Sequence, residues 1–510
     1  MIMKTFFTLL LTLTIGLGSY AQELSFKIDG VKDTTVYLAK YVGSKLYYAD
    51  TAELVNQKVS FDGSKQEPGI LAVLMPDQKY FEFIHNGEPV KIETKAPNFI
   101  QTMKVKKSNE NKLFLDYITH MKESRKKASE LQAEKSNLGE EETKKYKKLG
   151  KEINSIGDEV LTYQQNLVKD NPNTLVAPIV KMSTDIQIPD APKNEDGEII
   201  DKAFAYKYYR DHYFDNIDLT DDRLVNTPIL HNKIKYYYSD KMLLQQPDSI
   251  MKYLFPIMDK VPAGSQMYRF FVTKTTSHFE QSKIMGMDKV MNHLISRYYC
   301  AKDENGEKKG FWMKKKKMDE LCDKTVKRLK LMVGEVPPNL ILPDSTNEKW
   351  YNLHELEADY KILYFWDPNC GHCKKVTPKL EKLYAQKLKD RNVEIFAVGK
   401  ATGDDFEDWK KFIRENNLNF INVGLTRKIY QQAKNDAKSL IPSKTTLESI
   451  NYQSTYDIFS TPRVWVLDKD NKIIAKSLNV AQIERLMDRL QDHKDTEKIF
   501  ELGEATEDIK

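Results

Sequence analysis

The sequence predicts a multidomain chain with an N-terminal antiparallel β-domain, a central α-helical region and a C-terminal α/β domain. Three observations predict this. A length of 510 residues exceeds what one hydrophobic core serves. Apolar residues alternate with polar ones over the first hundred positions, then recur at steps of three and four from about residue 108. Past Pro337-Pro338, strand-like and helix-like runs alternate, the pattern of βαβ units around a parallel sheet. The expected divisions are a targeting segment at 1–21, a β-sandwich-like domain at 22–105, a helical region at 106–333, the α/β domain at 334–495 and a charged tail at 496–510.

In the first segment Lys4 supplies a positive start and residues 6–17 an apolar stretch. Ser19-Tyr20-Ala21 then forms a small-x-small site, so a signal peptide cleaved after Ala21 is expected. The apolar stretch is shorter than the ~20 residues a spanning helix needs. An uncleaved anchor is the alternative reading; no Cys follows, so a lipoprotein anchor is not expected. Residues 23–97 read as strands. Leu24, Phe26 and Ile28 alternate with polar residues, as do Val59 and Phe61, and β-rich runs cover 35–38, 70–74, 80–84 and 90–92. Asp29-Gly30, Asp62-Gly63 and Asn86-Gly87 supply the turns. An antiparallel sandwich or barrel fits this pattern.

A helical hairpin is expected over 108–169. Leu149, Ile153, Ile156, Val160, Tyr163 and Leu167 form a heptad seam. Phe114, Ile118, Met121, Ala128 and Leu131 supply the facing stripe, with the turn at 137–140. The Lys and Glu runs of this hairpin read as solvated faces. Residues 200–333 read as a helical bundle punctuated by Pro228, Pro247, Pro256 and Pro262. There Tyr236-Tyr237-Tyr238 and Phe270-Phe271 read as core rather than groove. The lysines at 314–317 are too few to specify a partner.

In the last domain, strands are expected at 361–366, 393–398, 420–423, 463–468 and 472–476. Helices are expected at 371–386, 404–415 and 480–490. The chemistry sits between the first strand and the first helix, where Cys370-Gly371-His372-Cys373 follows an apolar run. A Cys opening a helix meets unpaired backbone N–H groups and the positive end of the helix dipole. Both favour the thiolate, the species that attacks disulfides. Cys373 lies one turn on, placed to resolve a mixed disulfide.

Several function classes are excluded. Lys and Arg number 79 against 74 Asp and Glu, with both signs spread along the chain, so no nucleic-acid partner is expected. Only four cysteines occur, at 300, 322, 370 and 373, so packing rather than a disulfide framework must hold the fold. Cys300 and Cys322 read either as a structural disulfide or as two buried thiols, and their spacing decides nothing. They form no second CxxC, so a zinc ribbon is not expected, and the scattered histidines contain no HExxH. Neither a metal nor a cofactor is expected.

The strand, Trp366, the CGHC pair, the helix and then Thr461-Pro462 before another strand resemble the thioredoxin superfamily. The closer likeness is to exported TlpA/ResA-type thiol–disulfide oxidoreductases, over about residues 335–495. The β-rich and helical segments upstream resemble those that precede such domains in Gram-negative relatives, which implies a periplasmic location. The resemblance implies Cys370 as attacking thiol, Cys373 as resolving thiol, Trp366 as the aromatic before the redox pair and Pro378 as the proline that kinks the helix. It also implies Pro462 as a cis-proline exposing a substrate-binding edge, with the Thr461 hydroxyl near the thiols. Gly371-His372 is similar to the dipeptide of protein disulfide isomerase. Isomerase and thioredoxin potentials differ by about 90 mV, worth roughly 4 kcal/mol, so this likeness implies a shift in the oxidising direction. Asp367 acts the opposite way if its charge is near, and it occupies the position where a peroxiredoxin needs Thr or Ser. Tyr364 and Val376 stand where relatives carry carboxylates that take the proton of the resolving thiol. His372, Tyr364 or a water are the candidates left for that role.

The implied function is reduction of disulfides in protein substrates, with a membrane-linked thiol donor restoring the dithiol. Disulfide oxidation or isomerisation is the alternative direction. A non-catalytic scaffold with a thioredoxin-like docking module is the alternative class.

Overall fold

The structure, a computed structural model, describes residues 22–138, 143–494 and 496–501. The expected targeting segment, half of the expected 137–140 turn and most of the expected tail lie outside the described residues. The chain divides into two compact units, one running to Gln245 and including Lys252–Phe271, the other combining Gln246–Met251 with the chain from Val272 onward.

The first unit opens with β1 (Glu23–Asp29), β2 (Thr34–Val42), β3 (Lys45–Leu54), β4 (Lys58–Asp62), β5 (Gly69–Leu74), β6 (Tyr80–His85), β7 (Val90–Lys95), a single helical turn α1 (Phe99–Thr102) and β8 (Lys104–Lys107). Two four-stranded sheets result, ordered β4-β1-β7-β8 and β3-β2-β5-β6. Leu24, Phe26 and Ile28 of β1 share one core with Val36 and Leu38 of β2, Leu71 and Val73 of β5, and Phe81 and Phe83 of β6. That shared core makes the pair a sandwich. It is not wholly antiparallel, because β1 and β7 run parallel, with Leu24 beside Val90. A parallel neighbour needs a long connection, and β2 to β6 supply it. Two strands escape the sequence reading. β3 is an edge strand with Tyr47 and Tyr48 exposed, so it shows no buried face to alternate. β8 reads Lys-Val-Lys-Lys, a charged edge that discourages further pairing.

Helices α2 (Asn109–Ser136) and α3 (Thr143–Asp170) form the hairpin, with Leu149, Ile156 and Leu167 of the heptad seam buried. Asn111 ties α2 to the sandwich, its side chain accepting from Ile84 N–H and donating to Ile84 C=O, both at 2.8 Å. Glu110 accepts from the N–H groups of Leu175 and Val176, at the start of α4 (Val176–Ser183). Then follow α5 (Phe204–His212), α6 (Pro228–Tyr237), α7 (Pro247–Met258) and α8 (Gln266–Glu280). Pro228 and Pro247 open their helices, where a missing N–H costs nothing. Tyr237, Tyr238 and Phe271 are core, whereas Tyr236 is exposed. The division between units falls within α7 and α8.

In the second unit α9 (Asp288–Leu294) runs into a π-helical turn, Ile295–Cys300, and α10 (Lys315–Leu329) follows. A disulfide joins Cys300 to Cys322 of α10. A small hairpin, β9 (Ile341–Pro343) and β10 (Trp350–Asn352), precedes the main sheet. That sheet contains β11 (Tyr360–Trp366), β12 (Val393–Gly399), β13 (Ile421–Val423), β14 (Arg463–Asp468) and β15 (Ile473–Lys476), in the order β13-β12-β11-β14-β15. The first three are parallel and the last two antiparallel. The helices are α11 (Gly371–Leu383), α12 (Asp405–Glu415), α13 (Arg427–Asp436), the short turns α14 (Leu447–Ile450) and α15 (Tyr452–Thr455), and α16 (Val480–Leu490).

Both faces of this sheet are covered, which is why β11 reads as an unbroken apolar run from Ile362 to Trp366. Ile362, Tyr364 and Trp366 point to one core with Cys373 and Leu380 of α11 and Ile483 of α16. Leu363 and Phe365 point to the other, with Ile429, Tyr452 and Tyr456. The period-two geometry of β11 therefore delivers the chain to the start of α11 with Trp366 inward.

Candidate active site

β11 ends at Trp366, and Asp367-Pro368 stops the ladder. The Asp367 carboxylate accepts the Asn369 N–H at 2.8 Å and its carbonyl the Cys370 N–H at 3.1 Å, closing a tight turn. Cys370 is extended (φ −80°, ψ 124°) and is the N-cap of α11. Its carbonyl accepts the Lys374 N–H at 3.0 Å, the first bond of the helix. No side chain caps this end by hydrogen bonding. The sulfur itself therefore stands where a cap oxygen ordinarily meets the free N–H groups.

The two sulfurs differ in burial and in ionisation. Burial alone pushes the Cys370 thiol up. Hydrogen bonds from the Cys373 backbone and side chain, the Thr461 side chain and the His372 backbone outweigh it and hold the thiol below its ordinary value. Cys373 is fully buried, and burial pushes its thiol up to about 12. The Thr461 side chain and the Asp367 backbone lower it without reversing that effect, while Cys370 adds to the rise. Cys370 is thus partly exposed and ionises first; Cys373 waits beneath it, protonated.

Thr461, distant in sequence, is brought against the pair. Its carbonyl accepts the Cys370 S–H at 3.4 Å, and the Thr461–Pro462 peptide is cis. The positions carried by the family resemblance therefore converge in space. Gly371 and His372 are exposed, and a Cβ at Gly371 would meet nothing within 4 Å. Trp366 is buried, its ring 5.2 Å from that of Phe412. It belongs to the floor of the site rather than its rim. Tyr364 lies buried in the same core as Cys373, its hydroxyl 2.8 Å from the Thr377 hydroxyl. Burial pushes this phenol well above its ordinary value. It stays neutral, and its hydroxyl is engaged with that of Thr377. Val376 is core.

One set of residues escaped the sequence reading. Lys400 follows β12, and its ammonium lies 3.3 Å from Asp367 and 3.1 Å from Asp405. The Asn369 side chain donates to Asp405 and Asp408, both at 3.1 Å. The turn before Cys370 is thereby clamped to the start of α12, and the Asp367 charge is paired. The signal was available only through the parallel register that sets Gly399 beside Trp366. Among the described residues, no group of three or more His, Cys, Asp or Glu side chains is arranged to hold a metal ion.

Comparison with known proteins bears on the same segment. The family model for a thioredoxin-like domain (Thioredoxin_8) matches residues 358–473. Residues 358–473 are a thioredoxin-like domain. A domain of unknown function (DUF4369) matches residues 23–114. The thioredoxin-like domain is homologous to thiol-disulfide oxidoreductase ResA of Bacillus cereus, at 26% identity over 164 residues, spanning 32% of this chain and 79% of that protein. ResA of Halalkalibacterium halodurans is 40% identical over 65 residues, 36% of its length. Among solved structures, a domain of a "possible thiol-disulfide isomerase" from Cytophaga hutchinsonii is 33% identical with a TM-score of 0.24, covering 32% of this chain and 93% of that one. The thioredoxin-like domain and its homology to the two ResA proteins give the enzyme class: a thiol–disulfide oxidoreductase.

Proposed function

We propose that the protein is an exported oxidoreductase that reduces disulfides in protein substrates. The Cys370 thiolate attacks one sulfur of the substrate disulfide, forming a mixed disulfide and releasing the first substrate thiolate. Cys373 then loses its proton and attacks the Cys370 sulfur. The second substrate thiolate leaves and the Cys370–Cys373 disulfide remains. The two electrons lost by the pair are returned by a membrane-linked dithiol donor. The observation that carries this reading is the asymmetry of the pair: an accessible sulfur with a lowered pKa over a buried one with a raised pKa.

Export is supported by the charged start, apolar stretch and small-x-small site of residues 1–21 and by the Cys300–Cys322 disulfide. A periplasmic location follows if that segment is removed after Ala21. Among the described residues, no helix is long and apolar enough to cross a membrane. In this reading Thr461 and Pro462 hold the substrate backbone, and Gly371, His372 and Trp366 tune the pair.

Insulin reduction tests the assignment. Cys370→Ser is expected to abolish turnover, and Cys373→Ser to accumulate a mixed disulfide visible on a non-reducing gel. A cellular phenotype that survives Cys370→Ser would favour the non-catalytic scaffold reading, and turnover that survives it would remove Cys370 as the attacking thiol. Oxidation or isomerisation is the second reading, favoured by His372 between the cysteines. A potential near −270 mV for the pair supports reduction, and one near −180 mV supports shuffling.

A further inference from the structure

Phe459 is 96% exposed, more open than any other large apolar side chain among the described residues. A single exposed apolar residue is ordinary on a folded protein. The backbone that presents this one is not. Asp457 adopts a left-handed conformation (φ +47°), and its carboxylate pairs with Arg328 at 2.6 Å. The Ile458 N–H donates to the Gln453 carbonyl at 2.8 Å, and the Ile458 side chain packs on the core. The Ser460 carbonyl and hydroxyl accept from Arg463 at 3.3 and 3.4 Å. Thr461 then meets the Cys370 sulfur. The chain is tied on both sides of Phe459 while the ring is left in water. Two residues of extended chain span at most about 7 Å, so Phe459 is held close to the residue that contacts the attacking thiol.

We propose that Phe459 selects the partner: an extended polypeptide segment that carries a large apolar side chain within a few residues of its cystine. Such a segment, with its disulfide over Cys370, runs past Thr461 and covers the ring. A polar flank leaves the ring in water and gains nothing from it. This inference rests on the exchange reading above. The fixed backbone means that the contact is made without ordering a loop first, which is the condition for a single side chain to affect selectivity.

The test uses the full chain with dithiothreitol as electron donor and three disulfides. Two are cystine peptides identical except for Leu or Ser two residues from the disulfide, and the third is hydroxyethyl disulfide. The wild type is expected to favour the Leu peptide by about tenfold in kcat/KM. Phe459→Ala should remove that preference by slowing the Leu peptide alone, and Phe459→Leu should restore most of it. Equal rates on both peptides in the wild type, or an equal loss on all three disulfides in Phe459→Ala, would overturn the inference while leaving the exchange reading in place. Loss of self-association in Phe459→Ala, seen by sedimentation, would also overturn it in favour of a second copy of the chain as occupant. No exchange with any disulfide would overturn both.

Discussion

Cys370 and Cys373 share one chemistry and are separated by position alone. The first caps a helix in partial contact with solvent; the second is inside the core. Lys400 pairs with Asp367 in the turn before Cys370. Lys400→Gln leaves the Asp367 and Asp405 carboxylates without their cation. Added negative charge disfavours the thiolate, so the pH midpoint for alkylation of Cys370 should move upward, while Lys400→Arg should hold it. A midpoint that stays or falls in Lys400→Gln would remove Lys400 from the account. The redox pair was legible in the sequence because its strand, turn, cysteines and helix start are consecutive. Lys400 and Phe459 were not, since each reaches the site through folding: one by strand register, the other by a loop fixed to Arg328 and Arg463.

At the scale of elements, the period-two and heptad patterns identified the strands and helices that bury a face. They missed β3, β8, β9 and β10, which are short or lie at an edge and give no alternation to read. Contacts between elements make two predictions. A Cβ at Gly399 of β12 would stand 2.0 Å from the buried Trp409 ring nitrogen of α12. Gly399→Ala should therefore cost roughly 1–3 kcal/mol in urea unfolding of the protein; an unchanged midpoint would show that the two elements can separate freely. The second concerns Asp488 of α16, which accepts from Arg391 at 2.6 Å and Lys498 at 2.7 Å. Burial pushes its carboxyl up, but these partners prevail and hold it below the ordinary carboxylate value. The folded pKa is then below the unfolded one, so the stabilisation is complete above about pH 3.9 and is lost as pH falls through the folded value. Wild type should exceed Asp488→Asn in stability at neutral pH, and the gap should close in acid. A gap independent of pH would point to packing instead.

For the whole molecule, changes of secondary structure near residues 108 and 337 were legible from periodicity. The division of the two compact units was not, because it falls inside α7 and α8 where the pattern is helical on both sides. The Cys300–Cys322 link was equally silent in the sequence: a separation of 22 residues is compatible with bonded or free thiols. Closing a loop of that size should stabilise by about 3 kcal/mol through the unfolded chain. The double Cys300→Ser, Cys322→Ser variant should therefore unfold earlier in denaturant yet exchange disulfides at the wild-type rate below its transition. A loss of exchange in the folded variant would give this link a part in the chemistry.

The most direct measurement is the rate of iodoacetamide labelling against pH, read by mass spectrometry at each cysteine of the protein after its Cys370–Cys373 pair has been reduced. The account predicts labelling at Cys370 with a midpoint below the ~8.5 of a free thiol, and Cys373 left unmodified until far higher pH. A midpoint at Cys370 no lower than that of a free thiol, or labelling of both sulfurs at the same rate, would contradict it.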